Sequence, residues 1–110
     1  MEYLSAAAEE SLHVVVWEFQ VKAGCEQQFM GAYGPEGAWA QLFRHSPGFL
    51  GVELTRSVGH PSRFFTFDMW VSNASYQSFC EEHATAYDAL DRKLAGLTEW
   101  ERRVGAFPTE

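Results

Sequence analysis

The sequence predicts an α+β fold: a four-stranded antiparallel sheet covered by helices in the ferredoxin-like order. Three observations carry that expectation. Two-residue periodicity rich in β-branched and aromatic side chains recurs at 12–21, 49–58, 63–71 and 100–107. Three- and four-residue periodicity fills the gaps after the first and third of these segments. Only Gly59-His60-Pro61-Ser62 separates the second segment from the third, which makes those two an antiparallel hairpin. The order is then strand, helical pair, strand, strand, helical region, strand.

Residues 1–11, MEYLSAAAEES, are small, polar and acidic, and are expected to be a flexible leader before a single domain at 12–110. The first strand, LHVVVWEFQV, sets Val15, Trp17, Phe19 and Val21 on one face and Val14, Val16, Glu18 and Gln20 on the other. Apolar groups on both faces call for two covers. Lys22-Ala23-Gly24 turns into a helix at 25–33 bearing Phe29, Met30 and Tyr33, and Gly34-Pro35 breaks it. Trp39, Leu42 and Phe43 give the next short helix its buried stripe before His45-Ser46-Pro47-Gly48 stops it.

The second strand places Leu50, Val52, Leu54, Arg56 and Val58 on one face. In the third, Phe65, Phe67, Met69 and Val71 alternate with Phe64, Thr66, Asp68 and Trp70. Asp68 is out of character there and requires water or a partner, for which Arg102 and Arg103 are candidates across the sheet. Ser72 is placed to cap the following helical region, whose stripe is Tyr76, Phe79, His83, Tyr87, Leu90 and Leu94, with a local break admissible near 80–84. After Gly96, the last strand has Arg102, Val104 and Ala106 opposing Arg103, Gly105 and Phe107.

The 110 residues suit one modest core, and four Trp, nine Phe and four Tyr argue against disorder. A formal charge of −7 opposes nonspecific contact with nucleic acid or an anionic membrane surface. A small neutral, apolar or aromatic molecule meets no such objection and is the expected ligand class. Cys25 and Cys80 fit no metal or redox spacing and are compatible with reduced, structural thiols, with a disulfide as the alternative that two cysteines leave open. No segment reaches the length of a membrane span or reads as a signal peptide, so a cytoplasmic location is expected.

Trp70 stands where the third strand meets the helices, either as an aromatic ligand wall or as a large core or interface residue. Trp17, Tyr76 and Phe79 are candidates for the same substrate-binding wall. His83 is the only histidine in the helical stripe and is a candidate proton acceptor, although a hydrogen-bonded structural role is the simpler account. Tyr87 lies one turn later, so the two are candidates to share a cavity as catalytic groups. His13, His45 and His60 make no metal spacing, and no cofactor or metal motif is present in the sequence.

FQVKAG at 19–24, SPGFLGVEL at 46–54, FDMWVSNASYQSF at 67–79 and RRVGAF at 102–107 together resemble the antibiotic biosynthesis monooxygenase (ABM) domains of the dimeric α+β barrel superfamily. The resemblance covers residues 12–107. It implies a homodimer through facing sheets, a pocket between sheet and helices, and, in one branch, oxygenation of aromatic quinols without metal or flavin. The strand tryptophan of that branch falls on Trp70. A haem-degrading branch shares the scaffold, but its essential asparagine, distorting tryptophan and haem-ligating histidine fall on Trp17, Phe79 and near Ala89, which disfavours that chemistry.

The expected function is a cofactor-independent monooxygenase acting on a small aromatic or quinol substrate. Two alternatives accompany it. One is a noncatalytic small-molecule-binding or structural homodimer, since fold does not dictate function. The other is an isomerase or lyase, which would need a pocket base and consume no oxygen.

Overall fold

A computed structural model describes residues 12–108, so the expected leader at 1–11 lies outside the described residues. The strands are β1 (His13–Val21), β2 (Phe49–Arg56), β3 (Arg63–Trp70) and β4 (Thr98–Pro108). The helices are α1 (Glu26–Tyr33), α2 (Ala38–Phe43), α3 (Asn73–Glu82) and α4 (Ala84–Leu94), and a 3₁₀ turn at Ala95–Leu97 leads into β4. The sheet is antiparallel throughout, in the order β2-β3-β1-β4. This is the ferredoxin-like arrangement expected from the element order. No helix among the described residues is long and apolar enough to cross a membrane.

Alternation along the central strands decides what reaches the helices. In β3, Phe64, Thr66, Asp68 and Trp70 are all buried, while the residues between them are half-buried on the opposite, open face. Their partners on β1 are Phe19, Trp17, Val15 and His13, so these eight side chains form the sheet side of the helix-covered core. The helices complete it with Phe29, Tyr33, Trp39, Phe43, Phe79 and Leu94. Phe29 stacks on Tyr33 with ring centroids 4.1 Å apart, and Phe19 meets both edge-on at 5.0 Å. These contacts weld α1 onto β1.

Several local expectations hold. Ser72 Oγ accepts a hydrogen bond from Ser75 N–H at 3.1 Å and caps α3. The helical region breaks at His83, whose backbone N–H still bonds to the Phe79 carbonyl while its own carbonyl accepts from Tyr87 N–H in α4. Gly24, at φ 88°, makes the left-handed turn between β1 and α1 that a side chain would oppose. Gly48 lies so close to the start of α3 that an added Cβ would stand 2.5 Å from the Ser75 side chain.

Two expected faces are corrected by bulges. A register shift between Phe49 and Gly51 expels Leu50 into solvent and turns Phe49 toward Trp70, so Val52, Leu54 and Arg56 keep their shared face without Leu50. The strand then ends at Arg56, leaving Val58 in the loop and fully exposed. In β4, the step from Gly105 opposite Val16 to Arg103 opposite Trp17 inserts Val104 as an extra residue. Arg103 and Ala106 therefore share the helix-covered side, while Arg102, Gly105 and Phe107 lie on the open face. A period of two cannot register one inserted residue.

Candidate functional site

A cavity lies between the sheet and the helices. Trp17, Phe19, Thr66, Asp68, Val52 and Glu101 come from the four strands, and Tyr33, Trp39, Phe43, Tyr87 and Asp91 from the helices. Its interior offers water about 30 Å³, within about 400 Å³ of space that includes the open mouth. Room for one or two waters is present, whereas an aromatic ring enters only if wall side chains turn. Trp39 and Tyr87 form one wall edge-on, with centroids 4.9 Å apart.

Asp68 is the chemical centre of this cavity. It sits opposite Val15 on one side and Val52 on the other, and only 8% of its surface is exposed. Burial alone raises its carboxyl to about 7, with no hydrogen bond or positive charge acting against the shift. Desolvation disfavours the charged form, and nothing in the cavity compensates. Asp68 can therefore hold or release a proton near neutral pH, as a general base or acid must.

The phenols around it stay protonated. Burial pushes Tyr33 up to about 12, with Glu101 and Asp91 adding to the effect. Tyr87 is raised further, chiefly by burial and then by the surrounding acidic and phenolic groups, including Asp68 and Asp91. Both hydroxyls are hydrogen-bond donors at neutral pH. The buried indole N–H of Trp39 faces the Tyr33 hydroxyl, which partly offsets the rise of that phenol, but makes no well-formed hydrogen bond.

The residues singled out from sequence are divided by the structure. Trp17 and Tyr87 line the cavity. Trp70 does not. It is fully buried, packed by Phe43, Phe49, Tyr76 and Phe79 with centroids 5.2–5.5 Å away, and its indole N–H is unpartnered. Tyr76 packs on Trp70 and His13 rather than on the cavity, and burial pushes its phenol up to about 12. Phe79 and His83 border a separate hollow of about 310 Å³ between α3 and the turn at Ser46, Pro47 and Gly48. His83 stacks on Phe79 at 5.0 Å and on His45 at 5.8 Å.

The expected pairing of His83 with Tyr87 in one cavity is therefore corrected. The break at His83 turns its ring toward α2's exit while Tyr87 points to Trp39. The suggested ion pair of Asp68 with Arg102 or Arg103 is also corrected. Arg102 lies on the open face and binds Glu18, while the charge of Arg103 acts on His13, Tyr76 and Cys80. Tyr33, Trp39, Asp91 and Glu101 were not singled out as site residues. The useful signal was Asp68 itself, the one carboxylate in a strand apolar on both faces and two residues before Trp70.

With the cavity placed under the helices and the sheet in ferredoxin-like order, comparison with known proteins decides the family. Residues 12–89 match the antibiotic biosynthesis monooxygenase family. The chain belongs to that family. No curated protein matches it in sequence. Among solved structures, this ABM chain is similar to SnoaB from Streptomyces nogalater, a cofactor-independent oxygenase. That match has 20% identity, a TM-score of 0.65, and coverage of 91% of this chain and 94% of SnoaB. A protein of Bordetella bronchiseptica assigned to the antibiotic biosynthesis monooxygenases aligns with a TM-score of 0.70 at 16% identity, over 91% and 98% of the two chains. A protein of Shewanella oneidensis gives 0.66 at 20% identity, over 91% and 92%. At these identities the likeness establishes a shared fold, and the ABM chemistry has to be argued from the cavity itself.

Proposed function

We propose that this protein is a cofactor-independent monooxygenase that oxidises a small, electron-rich hydroxyarene or quinol, with Asp68 as its general base. The observation that supports the reading is an unpaired carboxyl, titrating at about 7, in an aromatic-walled cavity. Trp17 and Trp39 offer faces and edges for a ring, and Asp68 is the acceptor for its phenolic proton. The resulting aryl oxide is a one-electron donor to dioxygen, giving superoxide and an aryloxyl radical. Their recombination at a ring C–H carbon forms a peroxide bond. Asp68 returns its proton to the peroxide, the O–O bond breaks, and the C–H proton leaves with the hydroxide as water. The balance is one hydroxyarene and one dioxygen to one quinone and one water.

Tyr87, held protonated by burial, is suited to donate a hydrogen bond to the developing oxyanion or peroxide. His83, outside this cavity, takes no part in the proton transfers. The test is oxygen uptake and product mass over a panel of quinols for wild type, Asp68→Asn and His83→Ala. Turnover retained by His83→Ala and lost in Asp68→Asn supports the assignment. Full turnover by Asp68→Asn removes it.

The narrowness of the cavity favours a second reading, a noncatalytic small-molecule-binding or structural homodimer. A related isomerase or lyase would be recognised by product formed without oxygen. In every case two copies pack through their open sheet faces, where half-buried Val14, Phe65, Phe67 and Met69 need a cover and Trp100 and Phe107 are exposed. Light scattering at micromolar concentration tests this, and a monomer would overturn it.

A further inference from the structure

The polar lining of the cavity has one sign of charge. Asp68 is its buried carboxylate, Asp91 of α4 and Glu101 of β4 are more exposed members of the lining, and no lysine, arginine or histidine among the described residues lines it. Trp17, Tyr33, Trp39 and Tyr87 share the lining with them, their rings carried on one strand and three helices. Carboxylates combined with indole and phenol rings are the chemistry of organic-cation recognition, because the negative ring faces and the carboxylates both attract an ammonium group.

The acidic residues are independently marked as waiting for a positive partner. Asp68 is 8% exposed, lines the cavity, and has neither a hydrogen bond nor a counter-charge. Asp91 and Glu101 are close enough that burial and then the Asp91 charge push Glu101 above the usual carboxylate range. Glu18, on the open face, shows what the same sheet does when a carboxylate is structural: it takes two arginines. The net charge of −7 adds a long-range field of the same sign.

We infer that this cavity selects a cationic aromatic: a small hydroxyarene carrying a protonated or quaternary amine, with the ammonium group held by Asp91 and Glu101. The inference rests on the reading of this cavity as the substrate site and narrows the substrate class. The ring lies among Trp17, Trp39 and Tyr87 with its hydroxyl toward Asp68. A carboxylate- or phosphate-bearing ring meets three acidic groups and is excluded. The positive substituent also favours ionisation of the ring hydroxyl that Asp68 must deprotonate.

Three phenols of similar size test this by calorimetric titration: 4-(2-aminoethyl)phenol, neutral 4-ethylphenol and anionic 3-(4-hydroxyphenyl)propionate. The amine should bind wild type about tenfold more tightly than the neutral ring, with the acid weakest. The gap should close in the Asp91→Asn/Glu101→Gln double variant, and Glu101→Lys should reverse the order of amine and acid. Circular dichroism shows whether each variant is folded. The inference is overturned if the acid binds wild type as well as the amine does, if the folded double variant keeps the gap, or if the amine does not bind at millimolar concentration. Oxygen uptake run beside the titrations separates the two readings. Selective amine binding without turnover of any ring removes the oxygenase alone, and turnover of neutral rings without cation preference removes the cation alone.

Discussion

Asp68 and Glu18 occupy adjacent central strands of one sheet, on opposite faces, and are almost equally buried at 8% and 7% exposed. Their surroundings differ completely. Glu18 Oε1 accepts from Arg102 Nε and Nη2 at 2.9 and 2.7 Å, and Oε2 accepts from Arg63 Nη1 at 3.2 Å. Arg63 is held in turn by Gln20 at 2.9 Å and lies over the Trp100 ring. The cavity that Asp68 lines holds aromatic and aliphatic groups, hydroxyls and other acids, with no positive charge among the described residues. Burial is shared, so it cannot mark function. A missing partner does, because an unpaired buried carboxyl costs stability that folding alone gives no reason to spend.

The largest expected effect comes from removing that cost. Asp68→Asn should lower oxygenase turnover at least about a hundredfold, the usual scale of a lost general base. It should also stabilise the protein at neutral and higher pH. The folded carboxyl titrates at about 7 against about 3.9 in an unfolded chain. Between those values the native state keeps a proton the unfolded state has lost, so wild-type stability falls as pH rises from about 4 to about 7. The full penalty is on the order of 4 kcal/mol, roughly 15 °C or more in melting temperature for a domain of this size. His13, held low by burial and by Arg103, contributes in the opposite sense, so the measurement is the difference between wild type and variant across that window. A difference independent of pH would mean that Asp68 is not the titrating group.

The opposite result is expected on the other face. Glu18→Ala strands Arg63 and Arg102, whose side chains are 31% and 61% exposed and so recover part of their solvation from water. A loss of about 1–2 kcal/mol in urea unfolding is expected, less than for a fully buried pair, with turnover per folded protein unchanged. Loss of turnover equal to that of Asp68→Asn would erase the distinction between the two carboxylates.

Much of this contrast was legible in the residues. Alternation in VVVWEFQV and RFFTFDMW put Asp68 with Trp70 and Trp17 with Phe19 on one face, and Glu18 on the other, as observed. The hairpin, the helix break and the Ser72 cap also followed from local chemistry. The partners did not, because which of Arg102 and Arg103 shares a face with Ala106 depends on the bulge that follows them, and the only signal for the inserted Val104 is the in-strand Gly105 beside it. The cavity wall was hidden for a related reason: which of Tyr33, Trp39, Tyr76 and Tyr87 converge depends on how four short helices rotate over the sheet. Trp70 drew notice by size, yet size is what the core needed.

The smallest effect sharpens the contrast from a third position. His83 stacks on Phe79 beside a hollow that shares none of its lining with the Asp68 cavity. His83→Ala removes that stack and one contact with His45 while leaving the backbone bonds that join α3 to α4 in place. The helical break should survive, with a loss of about 0.5–1 kcal/mol from the aromatic contact and turnover within about twofold of wild type. The measurement is unfolding midpoint and oxygen uptake on one preparation. A large fall in turnover with the midpoint unchanged would move the proton acceptor from the strand carboxylate to the helix imidazole. The two hollows would then be one functional unit, joined through Phe43 and Phe79, which meet edge-on at 5.3 Å.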